Sequence, residues 1–222
     1  MSGLNACTER FTYSYRVFRM LNMDLQKESL EEALETLGAV LKEKGTSFEL
    51  LAIGGSGLLL LGLIDRPTGD LDVIALVRNG AFQKLEALPE ALENAAEQVG
   101  EALGLRDQWL NAHPSSLMDF GLPEGWESRL AVRQYGGLCL HLASREDQIC
   151  FKLYAAVDQF GGQDWGNEDK HYQDLQTLKP NRDELLFGAR WTVTQDPSEA
   201  FRSELLRCLS SLGVEVFDDD LN

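Results

Sequence analysis

The sequence predicts an α+β fold, in which a mixed sheet with helices forms the core and a helical part follows it. Strand patterns dominate the middle of the 222-residue chain, and helical patterns dominate its last third. Hydrophobic residues make up 44% of the chain and charged residues 25%, as in ordinary globular proteins. We divide it into an N-terminal extension (1–23), an α/β core (24–143), a C-terminal helical region (144–213) and an acidic tail (214–222).

Helical and strand patterns alternate at the start of the core. Leucines recur mostly at three- and four-residue spacing in Asp24–Gly45, which predicts an amphipathic helix. Phe48–Ile53 is a short apolar run that enters two glycines, so we predict a buried strand that ends in a tight turn. Ser56–Leu63 is apolar and lacks β-branched residues, which favours a short helix. Leu71–Val77 predicts a second strand.

The remaining core contains a helix, an irregular segment and a hairpin, which we place at Pro89–Leu103, Arg106–Trp126, and Leu130–Tyr135 with Leu138–Leu142. Four helices follow, at Arg145–Gln159, Asn167–Leu178, Asp183–Thr194 and Ser198–Leu212. We expect Ser144 to cap the first of them, and Gly161 with Gly162 to end it. The closing residues, FDDDLN, predict a solvated acidic end.

Charge and composition restrict the kinds of partner. The formal net charge of −16 repels phosphate backbones and disfavours extended nucleic-acid binding, whereas a small nucleotide carried with a divalent cation is compatible with it. The longest apolar run is far shorter than the roughly 20 residues of a membrane span, and no secretory signal is recognisable. The four cysteines form no CxxC pair, which argues against a zinc cluster. We expect a cytoplasmic protein without a membrane partner.

A glycine-rich turn is the first half of the most informative stretch. Gly54, Gly55 and Gly57 follow the buried strand and precede the short helix. Glycine lets a backbone turn sharply and approach a ligand closely, and a helix N-terminus offers free N–H groups to a phosphate. Ser56 adds a hydroxyl at the same place. We therefore consider Gly55 and Ser56 candidate phosphate-binding residues.

A pair of carboxylates is the second half. Asp70 and Asp72 are two positions apart on a strand, so their side chains project from the same face. Two such carboxylates repel each other unless a cation lies between them, and Mg²⁺ or Mn²⁺ suits oxygen ligands. Arg66 and Thr68, just before the pair, are placed to meet a phosphate or to orient the loop. Taken alone, such a pair is more often a solvated strand edge.

The combination of turn, short helix and T-G-D-L-D resembles the signature of the nucleotidyltransferase superfamily. Ser56 and Asp70 are 14 positions apart, near the spacing of that superfamily. The resemblance implies a nucleotidyltransferase-like core with a metal held by Asp70 and Asp72. It also implies an enzyme that transfers a nucleoside monophosphate from a nucleoside triphosphate to an acceptor. A protein hydroxyl, an RNA end and a small molecule all remain open as acceptors.

The helical region extends the resemblance. The segments LASREDQICFKLYAA and KHYQDL are similar to the helical half of bacterial nucleotidyltransferases related to abortive-infection and toxin–antitoxin systems. From about Leu30 to Gly213 the chain looks like an uncharacterised bacterial family of this kind. In these relatives a helix lysine contacts the phosphates and an aspartate on the next helix joins the active site, which implies such roles for Lys152 and Asp174. From the residues alone, a snorkelling lysine and an exposed carboxylate are equally ordinary interpretations.

The sequence departs from the superfamily pattern at the third carboxylate. We expect this acid on the strand Leu138–Leu142, where His141 stands instead, and Asp119 or Asp174 are the alternatives. The enzyme hypothesis requires an acid within metal-sharing distance of the aspartate pair. The alternative hypothesis is a catalytically degenerate protein that binds a nucleotide or a partner protein in a toxin–antitoxin-like system.

Overall fold

A computed structural model describes residues 24–160 and 169–221, so the N-terminal extension and the predicted break at Gly161 and Gly162 lie outside the described residues. The helices are α1 (Lys27–Glu43), α2 (Gly54–Leu60), α3 (Glu90–Leu103), α4 (Arg145–Phe160), α5 (Lys170–Leu178), α6 (Arg182–Gln195) and α7 (Glu199–Ser211). The strands are β1 (Phe48–Ile53), β2 (Leu71–Arg78), β3 (Ala81–Lys84), β4 (Leu110–Asn111), β5 (Ala131–Tyr135) and β6 (Leu138–Leu142). Short 3-10 segments cover His113–Met118, Trp126–Arg129 and Asp218–Leu221.

The strands form one mixed sheet in the order β3-β2-β1-β6-β5, with β4 paired to the start of β2. Strand β1 is central, since it lies antiparallel to β2 and parallel to β6. These strands and the surrounding helices confirm the predicted α+β fold. Strands β3 and β4 were not predicted, because β3 is mostly exposed and polar and β4 has only two residues. None of the helices described here is both long and apolar enough to cross a membrane.

The sheet has an apolar cluster on each face. Along β1, Leu50 and Ala52 belong to the larger cluster, which includes buried residues of α1 and α3, whereas Leu51 and Ile53 belong to the smaller one. The alternation follows from the two-residue period of a strand. On β2, Val73 packs in the larger cluster, so Asp72 projects from the opposite face, as predicted.

The C-terminal helices share the larger cluster with the sheet. Its members include Leu153 of α4, Leu175 of α5 and Leu205 of α7. Helix α4 begins as predicted, because the Asp147 backbone N–H donates to the Ser144 hydroxyl at 3.2 Å. The helical region is thus fixed to the sheet by burial of apolar surface, the main favourable term in folding.

The expectation of a fully solvated tail is wrong. Leu221 is only 4% exposed and belongs to the larger apolar cluster. Arg190 of α6 donates to the Asp220 carbonyl at 2.9 Å, and Arg202 of α7 forms an ion pair with Asp218 at 2.9 Å. Burial of one leucine and pairing with two arginines therefore dock this acidic segment onto the helices.

Helix α1 crosses the β5–β6 hairpin with its backbone in direct contact. The Gly137 N–H donates to the Gly38 carbonyl at 2.8 Å. A Cβ atom at Gly38 would lie 1.7 Å from the Tyr135 carbonyl oxygen, a separation that no side chain can adopt. Only glycine permits this approach of helix to sheet.

We predict that Gly38→Ala lowers the free energy of unfolding by about 3 kcal/mol or more, because overpacking against a backbone atom cannot relax through a rotamer change. Gly188→Ala is the matched control in helix α6, since its Cβ would meet its nearest neighbours at 3.6 Å. Helix propensity favours alanine there by up to about 1 kcal/mol. Urea unfolding of both variants tests the contrast, and equal stabilities would contradict it.

Candidate functional site

The carboxyl end of β1 opens into a cavity of about 410 Å³, between the sheet and helices α4 and α5. Six of the predicted site residues line this cavity: Gly55, Arg66, Thr68, Asp70, Asp72 and Lys152. The two others, Ser56 and Asp174, are almost completely buried and lie behind its wall. The fold thus gathers at one place residues that are far apart along the chain.

The turn after β1 brings the backbone against Asp72. Gly54 has a φ of +78°, and a Cβ at this position would lie 2.9 Å from the Asp72 Oδ2 atom. The Gly54 N–H donates to Gln148 Oε1 of helix α4 at 3.0 Å, which fixes the turn. Glycine is therefore required here both for the backbone conformation and for the space that the carboxylate occupies.

The hydroxyls of Ser56 and Thr68 hold the start of β2 in place. Both donate to the backbone carbonyl of Asp70, and the bond from Thr68 is 3.2 Å long. The Ser56 hydroxyl is thus committed to the loop that carries the carboxylate pair. Its geometry suits a residue that positions Asp70 rather than one that contacts a ligand through its side chain.

The surroundings of the Asp72 carboxyl disfavour its ionised form. Its pKa is raised, first by burial and second by the neighbouring Asp70 carboxylate. The side-chain amide of Asn111 and the charges of Lys170 and Lys152 oppose this shift without cancelling it. Two crowded carboxylates of this kind are the groups that a bound divalent cation stabilises.

Asn111 lies on the strand that pairs with the strand carrying Asp72. Strand β4 pairs with β2 in the register Asp72 to Asn111, whereas β1 separates β2 from β6. The expectation that Leu138–Leu142 supplies the third acid is therefore wrong. The Asn111 side chain is buried, its oxygen accepts from the His113 N–H at 2.9 Å, and its amide lies close enough to Asp72 to lower the pKa of that carboxyl.

The other candidates for the third acid are engaged elsewhere. His141 contacts Glu49 at 2.5 Å, and Asp119 forms an ion pair with Lys84 at 2.8 Å. Across residues 24–160 and 169–221, no third Asp, Glu, His or Cys comes within metal-sharing distance of Asp70 and Asp72. The described part of the chain supplies two carboxylates to this site and an amide beside them.

A buried ion triad forms the wall behind the cavity. Arg66 donates to both carboxylate oxygens of Asp174 at 2.6 Å, and the Lys152 ammonium lies 2.8 Å from Asp174 Oδ2. Lys152 is 3% exposed and Asp174 is 1% exposed. Burial alone would raise the pKa of Asp174, but the Arg66 hydrogen bonds and the Lys152 charge lower it. Asp174 is therefore a stable carboxylate that holds two cations.

Lys170 and His171 also line the cavity and were not predicted as site residues. They follow Asp169, whose side chain caps helix α5 by accepting from the His171 and Tyr172 N–H groups. Burial, together with the charges of Lys152 and Lys170, lowers the pKa of His171 to about 3. Neither of its ring nitrogens has a hydrogen-bond partner. A neutral imidazole whose two ring nitrogens are buried and unpaired thus lies in the wall of this cavity. In the sequence these two residues stood out only as the start of the segment KHYQDL, which is similar to the bacterial relatives.

A family model described as "Nucleotidyltransferase of unknown function (DUF6036)" matches residues 28–175. The chain belongs to this family. The match confirms the resemblance to the nucleotidyltransferase superfamily, and it spans the glycine-rich turn, the carboxylate pair, Lys152 and Asp174. No curated protein and no solved structure matched the chain. Membership in this family of nucleotidyltransferases makes the cavity at the end of β1 its candidate active site.

We predict that the ion triad couples Asp174 to Lys152 energetically. Asp174→Asn leaves the buried Lys152 charge uncompensated, and removal of one partner of a buried pair costs about 3–5 kcal/mol. Lys152→Met combined with Asp174→Asn removes that charge. The double variant should therefore be at least about 1 kcal/mol more stable than the sum of the single effects implies. Urea unfolding of the four proteins measures this coupling, and additivity within about 0.5 kcal/mol would refute it.

We predict a pH effect at His171. Its pKa is about 3 when folded, against about 6.5 as the ordinary value. Between these values the unfolded chain binds the proton and the folded chain does not, so folding stability is lost as the pH falls from about 6.5. His171→Gln removes this contribution. Its free energy of unfolding should thus fall less than that of the wild type between about pH 6.5 and pH 4. Parallel curves in urea unfolding would contradict the assignment.

Proposed function

We propose that this protein transfers a nucleoside monophosphate from a nucleoside triphosphate to an acceptor and releases pyrophosphate. The observation that carries the proposal is the charge arrangement around one cavity. Asp70 and Asp72 lie on its sheet wall, and Arg66, Lys152 and Lys170 lie on the same cavity. A protein of net charge −16 that gathers three cations beside a carboxylate pair is suited to a small anion bound with a metal.

Asp70 and Asp72 would hold the metal, for which Mg²⁺ or Mn²⁺ is the proposed ion. The uncompensated repulsion at Asp72 and the oxygen donors of the pair fit such an ion. When bound, the ion supplies charge neutralisation for the triphosphate and for in-line displacement at its α-phosphorus. Asn111 stands where a third carboxylate would complete the set, so the donor set carries less negative charge.

The cationic residues would bind and orient the phosphates. Arg66 offers a planar guanidinium and Lys152 a point charge, both suited to phosphate oxygens. The backbone at Gly55 is open to the same cavity. Thr68 and Ser56 would support this arrangement indirectly, because their hydroxyls fix the Asp70 backbone.

For Asp174, the geometry favours a positioning role over proton transfer. A carboxylate with a lowered pKa is a weak base, and its oxygens are already used by Arg66 and Lys152. Asp174 would aim these two cations at the phosphates. The proton of the acceptor hydroxyl would then leave to solvent, because the lowered pKa of His171 makes its imidazole an equally weak base.

Asn111 favours a second candidate function, which is nucleotide binding without turnover. Loss of the third carboxylate weakens the metal site while the cations that bind phosphate remain. In that case the nucleotide-bound protein would act through a partner protein, as in a toxin–antitoxin-like pair. A protein partner or protein acceptor suits both candidates better than an extended nucleic acid, because of the acidic charge.

Transfer is tested by incubating the protein with each α-labelled nucleoside triphosphate and Mg²⁺ or Mn²⁺, while pyrophosphate release and label transfer are measured. We predict that Asp72→Asn lowers the rate at least about 100-fold, the scale on which loss of one transition-state contact acts. Asp119→Asn is the matched control. It removes an aspartate that pairs with Lys84 and does not line the cavity, so its rate should stay near the wild-type value.

Calorimetry separates the two candidates. Binding of a metal–nucleotide without pyrophosphate release supports the second candidate, and Asn111→Asp should then raise turnover by restoring a third acid. Absence of any metal–nucleotide binding contradicts both candidates. Equal transfer rates in Asp72→Asn and the wild type would contradict the assignment of the carboxylate pair.

A further inference from the structure

We propose that Glu49, Cys139 and His141 form a zinc-binding site on the face of the sheet, separate from the cavity that holds the aspartate pair. One carboxylate oxygen, the thiol sulfur and one imidazole nitrogen all lie within 4.8 Å of one another. The described residues contain no other group of three or more such side chains at this spacing. Small rotations of the side chains would bring the three atoms to the spacing of ligands around one ion.

The sheet itself places the three ligands. Strands β1 and β6 are parallel neighbours, and Glu49 is the Cα partner of Cys139. Neighbouring strands lie about 4.8 Å apart, so directly paired side chains project side by side. Cys139 and His141 are two positions apart on β6 and therefore point to the same face. Central strands are rigid, which preorganises the donors without help from a flexible loop.

The imidazole is oriented toward the carboxylate. His141 Nε2 lies 2.5 Å from Glu49 Oε1. The His141 ring packs edge-to-face against Phe82, with 5.2 Å between the two ring centroids. Phe82 in turn packs edge-to-face against Trp126, with 4.8 Å between their centroids. A bound Zn²⁺ would replace this contact between His141 and Glu49, and the two side chains would move apart to bond lengths of about 2.0–2.2 Å from the ion. The aromatic pair would keep the ring in its coordinating orientation.

The donor chemistry selects zinc. Mg²⁺ and Ca²⁺ prefer oxygen ligands alone, whereas Zn²⁺ accepts thiolate, imidazole and carboxylate together. Cys139 is a free thiol, the His141 side chain is 15% exposed and that of Glu49 is 43% exposed, so an ion can reach them. Three protein ligands leave one tetrahedral position open. A cleft of about 430 Å³ bounded by Glu49, Cys139 and Arg78 gives that position access to solvent or to a small anionic ligand.

This site lies apart from the aspartate pair. Glu49 and Ile53 are near opposite ends of β1, roughly 13 Å apart at the rise of an extended strand. None of the three ligands lines the cavity at the carboxyl end of β1. No local sequence pattern indicates this group, because Glu49 and His141 are separated by 92 positions and only sheet pairing joins them.

Metal titration of the full chain tests the proposal. The protein carries Cys7→Ser, so that the thiol in the N-terminal extension cannot contribute, and is freed of metal before Zn²⁺ is added in a calorimeter. With excess Mg²⁺ present to occupy the aspartate pair, we expect one high-affinity Zn²⁺ per chain and a rise in melting temperature, since a ligand that binds only the folded state stabilises it. Co²⁺ in place of Zn²⁺ should give a thiolate-to-cobalt charge-transfer band.

Each of Cys139→Ser, His141→Gln and Glu49→Gln should weaken Zn²⁺ binding by more than tenfold, since loss even of an outer partner of a ligand costs about 10- to 100-fold. Cys139→Ser should also abolish the cobalt band. Asp119→Asn and Cys208→Ala are the controls, and both should bind Zn²⁺ as the parent does, since neither residue belongs to the proposed site or to the aspartate pair. Unchanged affinity in Cys139→Ser, or no saturable Zn²⁺ binding by the parent, overturns the proposal. Glu49→Gln alters a half-exposed side chain, so it remains decisive if a β6 variant fails to fold. These results do not depend on whether nucleotide transfer is observed.

Discussion

The buried carboxylate of Asp174 is the interaction on which the arrangement of the candidate active site depends. It joins three parts of the chain, because Arg66 comes from the loop before β2, Lys152 from α4 and Asp174 itself from α5. Burying these charges is expensive, and only their mutual pairing offsets the loss of water. The triad therefore fixes the position of the helical region against the loop that carries Asp70 and Asp72.

The same triad gives the cavity its electrostatic character. Two cations share one carboxylate, so positive charge remains on the side of the cavity that faces Asp72. That charge partly offsets the effects of burial and of Asp70, which raise the Asp72 pKa. A site with crowded carboxylates on one wall and excess positive charge on the other is complementary to a metal with a polyphosphate. Unfavourable charge interactions of this kind, and the perturbed pKa values that they cause, are typical of functional sites.

The two proposed sites lie at different places on the sheet. At the carboxyl end of β1, the tight turn at Gly54 exposes backbone and places it against Asp72. Toward the other end of β1, the pairing of β1 with β6 puts Glu49 beside Cys139 and His141. The first site depends on loops and helices that close over the strand end. The proposed zinc site depends on the sheet alone, which explains why it requires no motif.

The sequence by itself determined the local features of this protein. The periodicity of α1, the apolar run of β1 and the glycine-serine turn before the carboxylate pair all depend on neighbouring residues, so short windows contain their signals. They were sufficient to predict the α+β fold, the family resemblance and the Asp70–Asp72 pair. Only the tertiary structure decided that Asn111, and not a residue of Leu138–Leu142, lies beside that pair.

Local sequence could not predict the position of Asn111, because strand order and side-chain partners depend on pairings between distant segments. Strand β4 has two residues, too few to leave a periodic signal, and its pairing with β2 is stabilised by the surrounding fold. The docking of Leu221 likewise depends on an apolar surface that exists only after the helices have assembled. Local sequence therefore determined which residues are available for chemistry, and long-range packing decided which of them meet.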